Sequence, residues 1–240
     1  MSREPELLNG VRVPNNADVN LLRSQLAPPG PQAWAACLAL GHHPSPEALE
    51  VLMDLTTSPD WSYRRAAVEA IAAHRLGKSA LKRLRTLLDD PSQYVVRTVC
   101  EAAIKLELHE IHDSLLPLLS SQSSSTRQTA VRALARLWKP SDFAQVLSIF
   151  KRDPSSEVRR EAAWTLRANA DRESWKALFD TWKQDHLARH RVWACELAAE
   201  FAGSRFENEL EQILEDPDGH VRKAARQAIE TLANRNTVSP

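Results

Sequence analysis

Glycine is scarce in this sequence, with 6 residues among 240, whereas average usage is roughly 7%. Tight phosphate loops, hairpin turns and bulges need residues at positive φ, which glycine adopts at the lowest cost. The scarcity therefore counts against a nucleotide-binding α/β enzyme, and no GxGxxG, P-loop or GxSxG motif is present. It predicts helices joined by short connections instead.

The sequence also has few cysteines and no net charge. The three cysteines, Cys37, Cys100 and Cys195, lie far apart, which predicts reduced, buried thiols rather than disulfides or a metal site. Basic and acidic residues both number 31, and this zero net charge counts against a protein that coats nucleic acid. The charge is unevenly distributed along the chain. Residues 124–167 contain nine basic and four acidic residues, whereas residues 196–218 contain one basic and eight acidic residues.

Long apolar runs are absent as well. No run approaches the ~18–20 apolar residues that cross a bilayer. The N-terminal MSREPELLNGVRVPNN lacks the apolar core of a secretory signal. We therefore expect a cytoplasmic protein without a membrane partner.

A repeat runs through most of the chain. Six segments align without a gap: YRRAAVEAI, VRTVCEAAI, TRQTAVRAL, VRREAAWTL, HRVWACELA and VRKAARQAI. Their arginines follow one another at steps of 33, 30, 32, 32 and 31 residues: Arg64, Arg97, Arg127, Arg159, Arg191 and Arg222. A seventh copy, AWAACLAL, has Ala33 where the arginine would be. Repetition at this period is typical of stacked helical units.

Each repeat is predicted to contain two helices. Three residues after the arginine comes a small residue and seven after it, in most copies, a larger apolar one, which is the spacing of one helical stripe. A second amphipathic stretch precedes each copy, so a unit is helix A, a turn and helix B. Turns such as RDPSS place Asp or Ser before Pro, which suits a helix start. Pro117 falls inside a helix A and is predicted to kink it.

The DPxxxVRxxAxxAL pattern, in a unit of about 31 residues, resembles HEAT repeats, above all the short bacterial type also found in phycobilisome lyase subunits. The resemblance covers about residues 30–234. It implies an all-α fold, a right-handed α-solenoid (superhelix) of about seven two-helix HEAT-like repeats. We expect a flexible N-terminal segment at 1–16, a single solenoid domain at 17–234 and a C-terminal tail at 235–240.

The resemblance also implies a structural ladder, in which the helix-B arginine pairs with a turn aspartate of a neighbouring repeat. Asp153, Asp185 and Asp216 would be its acidic members. Ser58 and Ser121 replace the aspartate in two units and Asp90 is displaced by one residue, which predicts interruptions. The ladder arginines would be Arg64, Arg97, Arg127, Arg159, Arg191 and Arg222.

A candidate partner-binding surface lies on the helix-B faces, which line the concave side of such a solenoid. Trp164 is flanked by arginines there, and Trp and Arg dominate binding energetics at interfaces. The alternative is that Trp164 packs against the next layer while the arginines only solubilise the face. The candidate residues are Arg132, Arg136, Arg160, Trp164, Arg167, Trp193 and Glu196.

Candidate catalytic and metal sites are missing from the pattern. His186 and His190 are four residues apart, but no third ligand is evident. We expect no catalytic residues, no metal and no cofactor, and interpret the chain as a noncatalytic scaffold or adaptor that holds a protein partner, with acidic character matching the arginines. Two alternatives come from the resemblance: a bilin lyase-type accessory subunit and, less favoured, a HEAT-like alkylpurine DNA glycosylase, whose aspartate has no counterpart here. Membership in a larger complex stays open.

Overall fold

The computed structural model describes residues 6–8, 11–13, 18–27, 30–203 and 206–238. A short antiparallel pair, β1 (Glu6–Leu8) and β2 (Val11–Val13), aligns Glu6 with Val13. The helices of the described residues then follow in order: α1 Val19–Ser24, α2 Pro31–His42, α3 Pro46–Leu55, α4 Trp61–Ala73, α5 Leu81–Thr86, α6 Gln93–Lys105, α7 His112–Leu115, α8 Ser124–Arg136, α9 Phe143–Arg152, α10 Ser156–Ala168, α11 Trp175–Trp182, α12 Ala188–Phe201, α13 Glu207–Glu211 and α14 Gly219–Val238.

These helices alternate between the two predicted kinds. Odd-numbered helices are helix A and even-numbered helices are helix B, so helical pairs follow one another from α1 to α14 and the predicted all-α repeat fold is confirmed. Regular structure extends into both predicted terminal segments, because β1 and β2 precede residue 16 and α14 runs to Val238. The predicted domain boundaries stay predictions.

The A helices are shorter than the B helices, and several change into a 3₁₀ turn. Helix α7 passes into the 3₁₀ segment Leu116–Ser120, which contains Pro117 near its start. Proline lacks the N–H donor that an α-helix needs and its ring crowds the preceding turn, so the bend predicted at this residue is a change of helix type. Helices α5 and α13 change in the same way, into Leu87–Asp89 and Gln212–Glu215.

The chain separates into two compact units. One contains residues up to 142 together with 148–162, and the other contains 143–147 with the residues from 163 onward. In the first unit α2, α4, α6 and α8 pack in succession, and in the second α12 packs against both α11 and α14. Each unit therefore has its own row of helix-B contacts.

Small residues lie on the buried stripe of successive B helices within each unit. In the first unit Ala67, Cys100 and Ala130 are fully buried, and in the second Ala194 and Ala225 are too. Each stands three residues after a ladder arginine, as the repeat pattern predicts. A methyl or thiol at this position lets neighbouring backbones come close, while larger residues such as Ile71 and Leu134 fill the space between layers.

The cysteines belong to this packing. Cys37, Cys100 and Cys195 are buried and unbridged. Burial raises the pKa of each thiol to about 12, because a thiolate would have to form away from water. Among the described residues, no helix is long and apolar enough to cross a membrane.

Candidate interaction surfaces

Three ladder arginines form bidentate ion pairs with an aspartate about 26 residues further on. Arg127 donates from Nε and Nη2 to the two carboxylate oxygens of Asp153, both at 2.8 Å. Arg191 donates to Asp216 at 2.7 and 2.9 Å. Arg64 donates to Asp90 at 2.6 and 2.7 Å. The one-residue displacement of Asp90 in the sequence therefore does not interrupt the ladder there, since its carboxylate still reaches the guanidinium.

Ladder arginines, including two without such an ion pair, also close the turn that precedes their own helix. Nη1 of Arg127 donates to the carbonyl oxygens of Ser121 and Gln122, six and five residues earlier. Arg159 and Arg222 make the equivalent pair of backbone contacts. One side chain thus joins a turn to its own B helix and, in Arg64, Arg127 and Arg191, also to the next repeat.

The carboxylates of the ladder are held in their charged form. Hydrogen bonding from Arg127 lowers the pKa of Asp153, and hydrogen bonding from Arg191 lowers that of Asp216. Burial opposes both effects, but two charge-assisted hydrogen bonds outweigh it.

Asp185, the third predicted acidic member, has a different setting. Its carboxylate accepts the backbone N–H of Leu187 at 2.9 Å at the start of α12, and lies 3.1 Å from Nδ1 of His190. His186 approaches it at 3.3 Å. Among the described residues no group of three or more His, Cys, Asp or Glu side chains has the geometry of a metal site.

The second unit presents a half-exposed tryptophan on α10. Trp164 is 51% exposed, and its ring meets Trp193 of α12 edge-to-face, with centroids 4.7 Å apart and planes at 63°. The guanidinium carbon of Arg189 lies 5.8 Å from the Trp164 centroid and 5.3 Å from that of Trp193. The large exposed ring is therefore fixed by a second indole and by a cation.

Trp193 is the buried neighbour of the Trp164 ring. Only 7% of it is exposed, so it is a buried support, and the sequence-based placement at the margin of a binding face is corrected. It packs beside Trp182 and His190, at centroid distances of 5.5 and 5.3 Å. Burial lowers the pKa of His190 against the opposing effect of Asp185, which favours the neutral imidazole.

Arg167, one turn after Trp164, is partly neutralised within the unit. Its Nη2 lies 3.3 Å from Glu196 and its Nη1 lies 3.8 Å from Glu200. A phosphate-binding role, which the glycosylase alternative needs, would have to compete with two carboxylates here. We call Trp164, Arg189, Arg167, Glu196 and Glu200 the tryptophan surface; it holds two cations and two anions.

The first unit carries the other predicted arginines. Arg132 and Arg136 on α8 and Arg160 on α10 are exposed, and none forms an ion pair with another described residue. Beside them, Gln128 donates to Glu161 at 3.1 Å, which joins α8 to α10. These three guanidinium groups place exposed positive charge on α8 and α10.

Arg189 and Glu200 are the members of the tryptophan surface that the sequence analysis missed, and Arg189 contacts both indole rings. Arg189 stands four residues before Trp193 on α12, a spacing that brings two side chains onto one face of a helix. That spacing is the signal that could have identified Arg189, since a guanidinium over an indole face is attracted to the ring.

Comparisons with known proteins agree with the repeat architecture. The sequence model of HEAT repeats matches residues 19–105, 112–191 and 143–230. No curated protein matches the chain. The Escherichia coli protein YibA is similar in structure at 14% identity and a TM-score of 0.59, over 91% of this chain and 93% of that one.

Two further structures are similar at low identity. A homology model of the full-length AP-3 complex matches at 16% identity and a TM-score of 0.63, over 91% of this chain and 45% of that one. The complex of CpcE and CpcF of phycocyanin lyase from Nostoc sp. PCC7120 matches at 18% identity and a TM-score of 0.43, over 89% and 82%. At these identities the YibA and AP-3 similarities concern the fold alone, and the lyase similarity is too distant to support an argument.

Proposed function

The chain belongs to the HEAT-repeat family, and from that premise we propose that it is a noncatalytic scaffold that binds a protein partner through the tryptophan surface. HEAT-type repeats present long rows of helix faces rather than deep catalytic pockets. Fold alone does not fix function, so the proposal depends on the geometry around Trp164.

The exposed and fixed ring of Trp164 carries the proposal. Water contacts about half of this indole, although burying an aromatic side chain is strongly favourable. Contacts with Trp193 and Arg189 hold the ring in place, so a partner would lose little side-chain entropy by covering it. Large, rigid, exposed tryptophans next to arginine are typical of interface hot spots.

Comparison among the repeats supports a role beyond packing. The position five residues after the ladder arginine holds Trp164 in one copy, whereas the other copies have Glu69, Ala102, Arg132, Glu196 and Gln227. Helix B therefore packs without an aromatic residue at this position.

The unpaired arginines of the first unit favour acidic character in the partner. Arg132, Arg136 and Arg160 are exposed and form no ion pair with another described residue, and charges of opposite sign speed association and exclude unsuitable partners. The tryptophan surface itself is balanced in charge, so there the apolar contact dominates.

The test is a comparison of co-purifying proteins from the native host. Trp164→Ala is the primary variant, and Trp34→Ala, which removes an indole that is 43% exposed on α2, is the matched control. Truncating a hot-spot tryptophan costs about 2 kcal/mol or more, or about 30-fold in affinity. We expect at least one partner to disappear with Trp164→Ala and to remain with Trp34→Ala.

A second arm tests the charge. Arg160→Glu combined with Arg167→Glu is expected to weaken the same interaction, and more strongly at low salt than at high salt, because exposed charges are screened. Circular dichroism of each variant confirms that the helices persist. If every co-purifying protein is unchanged in all variants, the proposed function is wrong.

A further inference from the structure

The first unit carries an exposed aromatic pair that the tryptophan surface does not include. Trp61, the first residue of α4, stacks on Tyr94, the second residue of α6, with ring centroids 4.9 Å apart and planes at 26°. Trp61 is 41% exposed and Tyr94 is 45% exposed. Two neighbouring repeats therefore place adjoining apolar rings in water.

The repeat pattern shows that helix B does not need aromatic residues at this position. Trp61 and Tyr94 each stand three residues before a ladder arginine. The same position in the four following repeats holds Ser124, Ser156, Ala188 and Gly219. A small residue at this place is compatible with helix B, so the folding of the repeat does not explain the aromatic pair.

Arg97 lies beside the pair and is unlike the other ladder arginines. Its guanidinium carbon is 5.4 Å from the centroid of Tyr94, and within the described part of the chain it has no hydrogen-bond partner. The sequence explains this. The next repeat has Ser121 where the aspartate of the ladder would stand. The turn before α6 is also longer: Asp90 precedes Arg97 by seven residues, whereas Asp153 precedes Arg159 by six.

We propose that Trp61, Tyr94 and Arg97 form a second docking site, which takes an acidic segment of a protein partner. A carboxylate of that segment binds the free guanidinium of Arg97, and an adjacent apolar or aromatic side chain covers the aromatic pair. This site lies in the other unit from the tryptophan surface and does not depend on it.

The ladder itself indicates that the ligand is a carboxylate. In three other repeats the equivalent guanidinium binds both oxygens of an aspartate at 2.6–2.9 Å. A planar fork of N–H donors fits a carboxylate in two-point contact. Ser121 has no carboxylate, so the ladder leaves the guanidinium of Arg97 without one. A carboxylate from a partner would take that place.

Nearby charges set the direction of the segment. Asp60 caps α4 by accepting the N–H of Ser62 at 2.8 Å, and its negative charge precedes Trp61 directly. The acidic group therefore belongs at the Arg97 side of the aromatic pair and the apolar group at the Trp61 side. Single-stranded nucleic acid also stacks on aromatic rings, but a cation beside an anion offers it little electrostatic attraction.

The experiment is a selection from a phage-displayed random peptide library on the intact protein. A double variant, Trp61→Ser with Tyr94→Ser, serves for counter-selection, because serine occupies this position in two other repeats and the variant should therefore fold. We expect enriched peptides to carry Asp or Glu next to an aromatic or other apolar residue.

The enriched peptides are then synthesised and titrated. We expect Arg97→Gln, and separately the exchange of Asp for Asn or Glu for Gln in the peptide, to weaken binding about tenfold or more. Trp164→Ala should leave the affinity unchanged, which separates this site from the proposed function.

Three results would overturn the proposal. The first is a failure of any peptide to enrich on the wild type over the double serine variant. The second is equal binding of the acidic and amide peptides. The third is preferential binding of single-stranded oligothymidine that depends on Trp61 and Tyr94, which would make the pair a base-stacking platform.

Discussion

Loss of one ladder arginine should cost far more stability than loss of another, although both occupy the same place in the repeat. The comparison is Arg127→Gln with Arg97→Gln. Arg127 pairs with Asp153 through side chains that are 11% and 5% exposed, and it also closes its turn at Ser121. Arg97 has only the aromatic contact with Tyr94.

The expected magnitude follows from these contacts. Removing one partner of a buried ion pair costs about 3–5 kcal/mol, because the other charge stays buried without its counterion. Asp153 would keep one donor, the N–H of Ser155, so we expect about 3 kcal/mol for Arg127→Gln. An exposed cation–aromatic contact contributes about 0.5–1 kcal/mol, which sets the expected loss for Arg97→Gln.

Urea unfolding followed by circular dichroism measures both changes, and hydrogen exchange of α8 shows whether the loss is local, since repeat proteins can unfold in parts. Arg65→Gln is an exposed control, because its pair with Glu69 should contribute only about 0.3–0.5 kcal/mol. A double variant with Asp153→Asn should cost less than the sum of the single changes. Similar losses for Arg127→Gln and Arg97→Gln would refute the structural role of the ladder.

Three further results are expected. Because Arg127 lowers the pKa of Asp153 in the fold, the stability from this pair is present above the unfolded pKa of about 3.9 and is lost as the pH falls through the folded pKa; acid unfolding curves of the wild type and Arg127→Gln should therefore converge. Gly77→Ala would push a methyl group against the carbonyl oxygen of Ile71 and should lower the unfolding free energy by about 1–3 kcal/mol, whereas Gly219→Ala meets only an ordinary contact and should not. A thiol reagent at pH 8 should label the three buried thiols slowly until urea is added, and rapid labelling of native protein would contradict the burial of Cys37, Cys100 and Cys195.

The repeat architecture was predictable because its signal is local. Ala67 and Ala130 stand three residues after an arginine, and both are fully buried. The period of the helix alone places them on the inner stripe. The paired helices and the turns follow from the same short-range pattern.

The environment of single side chains was less predictable, because it depends on which helix lies opposite. Trp193 is buried since Trp182 of α11 and His190 of its own helix pack beside it. Asp185 occupies the ladder position in the sequence, but its carboxylate accepts the N–H of Leu187 and lies near His190. Helical periodicity specifies a face and does not specify the partner on that face.

A repeat protein also carries its own comparison set, and this separates residues that fold the chain from residues that serve another purpose. Trp164 and the pair of Trp61 and Tyr94 stand at positions where other copies have small or polar residues, so the repeat packs without them. Each ring is nevertheless fixed by an aromatic or cationic neighbour and stays about half exposed. Ordering an apolar ring in water is unfavourable for an isolated chain, and it becomes favourable when a partner covers the ring. The departures from the repeat, more than the repeat itself, are therefore where the proposed partners would bind.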